Sequence, residues 1–378
     1  MRQSARFLGF FLLLCTLSPA SLAVTYVITN DNNTVANSAT VYELNTTTGT
    51  LTLVKVLLTN GVALGGVSFD AVGQAVTQTA NCVFILDSGS SDIAAFSRAT
   101  GYEKVGNYSD SAVLNGASIA LSPNGKWLYG TYIGTVNLGA WRVNADCSLT
   151  FIAAYTPSVP VALSDLKVTP NNLGLVVPLT NFEAAEGFRI NPDGTLTDLG
   201  FVSFKTIPQC ELDSGCFPFS VDITKDSRVA VFGSTNGGGN IPVAITVNLT
   251  SAGLTDPEVW QVGNPVNANG SVLPFFSAAG YAGSGFLYFG VCGPGAGVTT
   301  TSFAENPLNI EVVTTTLVDP ARYDGAIAVT GTTMVIAEPP NQIGVFRTNA
   351  DGSITPLSTV TDPNSSDLIS LSIFPNTR

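Results

Sequence analysis

One phrase recurs along this chain and limits the folds open to it: an apolar stretch ending in Asn, a polar turn that often holds Asp-Gly, then Leu-Thr or Ile-Thr opening the next stretch. Its copies are NTTTGTLT (Asn45 to Thr52), NADCSLT (Asn144 to Thr150), NPDGTLT (Asn191 to Thr197), NLTSAGLT (Asn248 to Thr255) and NADGSIT (Asn349 to Thr355). Asp-Gly between apolar runs supplies the positive φ that a short hairpin connection requires. The closing threonines are 98, 47, 58 and 100 residues apart, so two intervals hold one unit and two hold a pair. The missing turns fall at Arg98-Ala99-Thr100-Gly101 and at Glu305-Asn306-Pro307, which makes seven units with a period near fifty. A period of that size means a stacked or circular array of one supersecondary unit.

A second element repeats in step with the first. Ser122-Pro123-Asn124-Gly125, Thr169-Pro170-Asn171-Asn172 and Phe374-Pro375-Asn376-Thr377 are turns, and a strongly apolar strand follows turns of this kind: YVIT, CVFIL, WLYGTY, LGLVV, VAVF, FLYFGV and MVIA. Unbroken apolar runs, in place of alternation, indicate strands buried on both faces. Each unit thus offers four strands. The chain finishes on a strand at Leu368 to Phe374 whose Pro-Asn turn has no strand to lead into, and the mature chain, after the export signal described below, is expected to open directly on the apolar strand Tyr26 to Thr29. The expected fold is an all-β, seven-bladed β-propeller of four-stranded antiparallel blades. Its last strand joins the first blade as that blade's innermost strand, which closes the ring and leaves short, protected edges.

The start of the chain reads as an export signal: Arg2 and Arg6, an apolar run from Phe7 to Leu17, then Ser21-Leu22-Ala23 as a cleavage site. Residues 1–23 would be removed and 24–378 would form the propeller. A lipid anchor on Cys15 is disfavoured by Leu14, and no stretch reaches the roughly 20 apolar residues of a spanning helix. The expected location is secreted, or periplasmic in a bacterium. The whole chain carries a net charge of −12, and cleavage removes two more arginines, leaving −14. Nucleic acid and anionic membrane are poor partners for such a surface, and no nucleic acid is expected to bind. With 37 Gly, 21 Pro and only 11% charged residues, the composition suits tight turns and short strands.

Five cysteines follow the signal. Cys210 and Cys216 enclose a short loop that a disulfide would pin, Cys82 with Cys147 is a possible second bridge, and Cys292 is left over. There is no histidine, and no Cys pair has zinc-site spacing. No calcium-loop spacing is present either, and Gly237-Gly238-Gly239 lacks the Lys-Ser/Thr of a phosphate cradle. No metal and no cofactor are expected. Six N-x-S/T sequences occur, at Asn32, Asn45, Asn107, Asn248, Asn269 and Asn364.

In a four-stranded blade the Asp-Gly and Pro-Asn turns share one face of the disc, and longer, irregular loops collect on the other. That loop face is where binding residues are expected. Asp319-Pro320-Ala321-Arg322-Tyr323-Asp324 packs a cation, two carboxylates and an aromatic ring into six residues. The ligand-binding candidates are Asp213, Arg322, Asp324 and Glu338; the catalytic candidates are Glu211 or Glu338 as base, with Arg322 stabilising an oxyanion.

The phrase Arg189 to Thr197 (RINPDGTLT), with Ser122 to Tyr129 (SPNGKWLY), resembles the blade pattern of the 6-phosphogluconolactonase and carboxymuconate-cyclase family, over essentially 24–378. The resemblance implies a seven-bladed propeller that opens or closes lactones with His, Glu and Arg side chains. The histidine cannot exist here, and on the loop face only Lys205 and Arg322 could meet a phosphate. The expected function is therefore a secreted binding or interaction scaffold, monomeric, for a protein partner or a non-phosphorylated small molecule on the loop face. A lactone or ester hydrolase with a carboxylate base is the alternative.

Overall fold

The computed structural model describes residues 24–64, 74–109, 116–132, 138–159, 163–212, 215–236, 241–262, 276–279, 285–291, 297–305, 308–317, 326–338, 340–368 and 370–375. The segment 1–23 expected to be an export signal, Gly237 to Gly239, Asn269 and Cys292 lie outside them, as do Asp213, Arg322 and Asp324.

Seven four-stranded antiparallel sheets form a ring. Blade 1 consists, from the axis outward, of Ser370–Phe374, Thr25–Asn30, Ser38–Leu44 and Leu51–Leu58. Blades 2 to 7 occupy 76–108, 116–155, 167–203, 216–261, 276–317 and 327–361, each running inner to outer in chain order. The closing strand pairs as the sequence implied, with Tyr26 opposite Phe374 and Thr29 opposite Leu371. No described helix is long and apolar enough to cross a membrane.

The unbroken apolar runs are the second strands, and the β period explains them. Neighbouring residues point to opposite faces, and here both faces are interfaces between blades. Val27 packs toward blade 7 and Ile28 toward blade 2; Leu128 packs toward blade 2 and Tyr129 toward blade 4. Buried residues fall into seven clusters, one for each pair of adjacent blades. Every pairing of third with outermost strand contains a register slip, including Val41/Tyr42, Ala140/Trp141 and Val345/Phe346. Such bulges twist the free edge away from flat pairing with another chain.

The recurring phrase is a hydrogen-bonded unit. Asn191 Nδ2 reaches the hydroxyls of Thr195 and Thr197, while Asp193 Oδ1 accepts from the Thr195 amide and hydroxyl. Asn144 with Asp146 and Asn349 with Asp351 repeat it. The serine or threonine hydroxyl holds all three aspartates below the usual carboxylate range. At the turn's left-handed position, Gly194 (φ 85°) lies flat on Trp127 and Gly352 (φ 83°) on Phe286, the first residue of the second strand in the preceding blade. A Cβ on either glycine would stand within about 2.6 Å of the ring. Blade 3 has Cys147 at this position (φ 69°), and its neighbour in blade 2 is Cys82, bridged to it. The disulfide thus stands where other blades place glycine on an aromatic ring. Cys210–Cys216 forms as well.

Arg98 fastens the closing strand from blade 2. Its guanidinium lies 4.8 Å from the Tyr26 ring, 5.1 Å from Phe374 and 5.7 Å from Tyr102, and it donates to Gln78 Oε1. Gln78 Nε2 in turn donates to Ser372 Oγ at 2.6 Å. Because Tyr26 and Phe374 are cross-strand partners from opposite ends of the chain, the cage exists only when the ring is closed. Arg98→Met should cost about 3 kcal/mol in urea unfolding, the sum of lost cation–π contacts and a charged hydrogen bond.

Candidate functional site in the axial channel

The innermost strands run from the loop face to the turn face and enclose a cavity of about 750 Å³ on the axis. Its lining reaches Thr79, Pro123 to Gly125, Pro170 and Lys225, all in first turns, so among the described residues it opens on the turn face. The sequence expectation had placed the ligand on the opposite, loop face.

The rim is built from turns that bond to one another. Ser122, Thr169 and Thr224 each donate a hydroxyl to the residue two places on, Asn124, Asn171 and Asp226, and each accepts the amide that starts the second strand. The Asn124 amide then donates to Asn172 Oδ1 at 2.8 Å, and the Asn171 amide to Ser227 Oγ at 3.1 Å. Blades 3, 4 and 5 are thereby held edge to edge around the mouth.

Two residues before the turn, six of the seven inner strands contribute one described residue apiece to a common level of the wall: Thr77, Ala120, Lys167, Asp222, Ala328 and Ser372. The charged members are neighbours. Lys167 Nζ is 3.1 Å from Asp222 Oδ1, with side-chain exposures of 28% and 4%. Lys225 stands exposed on the rim. Nearer the loop face, Asp165 ties three blades together, accepting from Ser118 Oγ at 2.8 Å and from the Val221 amide at 3.0 Å. Burial pushes its carboxyl up. This wall is prebuilt: hydroxyl and amide groups, a half-buried ion pair and aliphatic surface, on the inner strands and the turns that follow them.

The residues singled out from sequence sit elsewhere. Glu211 is exposed on the short helix Pro208–Leu212, inside the Cys210–Cys216 loop between blades 4 and 5. Glu338 ends the second strand of blade 7, only 2% exposed, with Oε1 so close to Gly344 that a Cβ there would overlap it. The structure does not bring these two together. Glu183, also on the loop face, holds the disulfide loop by accepting the Cys216 amide at 3.2 Å. Lys167 and Asp222 were missed, although aligning the repeats on the turn residues Ser122, Thr169 and Thr224 places Ala120, Lys167 and Asp222 in one column. Among the described residues no cluster of three or more His, Cys, Asp or Glu could hold a metal ion.

Solved structures share this fold. A protein from Lactobacillus plantarum superposes with a TM-score of 0.70 over 93% of this chain and 99% of its own, at 13% identity. A candidate 6-phosphogluconolactonase from Bacteroides fragilis gives 0.68 over 94% and 99%, at 16% identity. The periplasmic gluconolactonase of Pseudomonas aeruginosa gives 0.69 over 93% and 99%, at 14% identity. No protein family and no curated protein matches the chain at the level of sequence. Likeness at this identity is a likeness of fold.

Proposed function

We propose that this chain is an exported propeller that binds a small, hydroxylated, unphosphorylated organic molecule in the axial channel. The observation that carries this reading is the level of the wall where Thr77, Lys167, Asp222 and Ser372 face one cavity of about 750 Å³, a size suited to a sugar-like ligand. Asp222 can accept from a ligand hydroxyl while Lys167 donates to another oxygen. Phosphate fits poorly, because Lys167 is already engaged by Asp222 and, among the described residues, only Lys225 adds a cation to the lining. Two disulfides suit an oxidising compartment, in keeping with the export signal.

A second reading is hydrolysis of a lactone in the same channel, favoured by the gluconolactonase among the structural neighbours. Without histidine the base would be a carboxylate. Glu211 lies in the loop-face connection between blades 4 and 5 and Glu338 at the end of a blade 7 strand, and neither lines the channel, so that role falls to Asp222, with Lys167 facing the developing oxyanion.

Calorimetric titration with glucose, gluconate, glucono-1,5-lactone and 6-phosphogluconate tests both. Saturable binding of an unphosphorylated member is expected, weakened at least tenfold, about 1.4 kcal/mol, by Lys167→Met or Asp222→Asn. Binding by none of the four, or binding indifferent to both substitutions, would sink the channel assignment. Lactone turnover above background, lost in Asp222→Asn, would select the second reading.

A further inference from the structure

Where blade 7 meets blade 1, at the loop-face end of the closing seam, two carboxyl groups face one hydroxyl. Thr29 Oγ1 stands 2.9 Å from Asp31 Oδ1 and 3.1 Å from Asp362 Oδ2. It is also 3.3 Å from the Thr40 carbonyl, and it accepts from the Thr40 amide at 3.2 Å. A threonine hydroxyl carries a single hydrogen, so it can satisfy one of the two carboxylates; the other short contact requires a hydrogen carried by the carboxyl group itself. The remaining carboxyl oxygens are occupied. Asp31 Oδ2 takes Ser38 Oγ at 2.5 Å and Thr40 Oγ1 at 3.1 Å, and Asp362 Oδ1 takes the Asn364 amide at 3.0 Å.

Neither aspartate is exposed to solvent. Two like charges at this separation, away from water, disfavour double ionisation. Burial first, and Asp362 second, push the Asp31 carboxyl up to about 6. The Asp362 amide donates to the Asn341 carbonyl, three residues after the buried Glu338, and the other titratable groups lie on the neighbouring elements. Strand Ser38–Leu44 brings Tyr42, whose phenol is pushed up by burial and by both aspartates. Strand Thr25–Asn30 brings none beyond Tyr26 at its far end, and the segment 362–368 brings Asp367, raised by burial alone. Among the described residues no lysine or arginine acts on Asp31.

The pair sits in the hydrogen bonds that fasten the two ends of the chain. The Ser366 amide and the Ser365 hydroxyl both donate to the Asp31 carbonyl, at 3.1 and 3.0 Å. Ser366 Oγ donates to the Asn32 carbonyl, and Asn33 Nδ2 to the Asn364 carbonyl at 2.8 Å. We propose that Asp31 and Asp362 share one proton through Thr29, and that this proton is a clasp for the ring: bound, it seals the seam beside the closing strand; lost, it leaves two buried charges there and loosens it.

The sign follows from linkage. An unfolded aspartate loses its proton near pH 4, so folding takes up a proton between about pH 4 and pH 6. The clasp's contribution is complete below that window and is lost as pH rises through it. Urea unfolding of the protein at pH 4.5 to 7.5 tests this, with Asp362→Asn compared to the wild type. For the wild type, the unfolding constant should grow with pH by up to tenfold per unit for each proton released. In Asp362→Asn, whose amide can donate to Thr29, the growth should be shallower by up to one proton. An unchanged slope would overturn the proposal. Should that variant fail to fold, hydrogen exchange on the wild type decides. Protection of the amides at 371–374, corrected for intrinsic rates and taken relative to blade 4, should drop between pH 5 and 7.5. A constant ratio would overturn the clasp.

Discussion

Truncating the chain after Leu368 should abolish cooperative folding, seen as loss of the sigmoidal transition in thermal or urea unfolding. The deletion removes strand Ser370–Phe374, whose Leu371 and Ile373 are 1% and 5% exposed in the core between blades 1 and 7. Two such side chains contribute about 2 kcal/mol each. The strand's ladder to Thr25–Asn30, the Gln78 to Ser372 hydrogen bond and the Ala75 amide to Ser370 Oγ bond add about 1 kcal/mol apiece. The Arg98 cage also loses Phe374. Together these approach the 5 to 15 kcal/mol that separates a folded domain from its unfolded chain. Recovery of a sharp transition at the wild-type midpoint would show that the terminal strand is dispensable.

The second large effect concerns the bridge between blades. Cys82 and Cys147 are 65 residues apart, and opening a loop of that length should cost about 4 kcal/mol of stability in the Cys82→Ser/Cys147→Ser double variant. Opening Cys210–Cys216, six residues apart, should cost roughly half as much. Chemical denaturation of the two double variants side by side checks the order. The reverse order would mean that the loop-face disulfide carries more native structure than its length implies. Combining Cys82→Ser with Cys147→Gly is the informative variation. The sister turns show glycine at this left-handed position packed on an aromatic ring, a contact that residue 82 cannot offer. Cys147→Gly should therefore relieve backbone strain without restoring the tie between blades.

Fold and site were legible to different degrees, and particular residues show why. The turn phrase could be read because its chemistry is local. Asn191, Asp193, Gly194 and Thr195 bond within a few residues of each other, so spacing along the chain is spacing in the structure. The second strands could be read because two buried faces demand apolar residues at consecutive positions, as in Cys82–Asp87 and Thr333–Glu338, buried throughout. The closing strand was visible as a strand without a successor, and Cys210–Cys216 as a bridge across a short loop. Loop acids were a poorer guide. Glu338 looked like a base from its loop-edge position, but it is packed against Gly344 at the end of a strand.

Blade number, hairpins, the manner of closure and the Cys210–Cys216 loop could therefore be read from residue order alone, while the pairing of Cys82 with Cys147 stayed one possibility until the turns of blades 2 and 3 were seen together. The tertiary structure alone decided which side chains share a level of the channel and which meet at the seam. Lys167 and Asp222 are 55 positions apart and become an ion pair only because two inner strands stand side by side at the same height on the axis. Thr29 and Asp362, 333 positions apart, meet only when the ring has closed. Local hydrogen bonding and strand periodicity act over a few residues and leave their mark in sequence order; proximity between neighbouring blades is a property of the assembled ring.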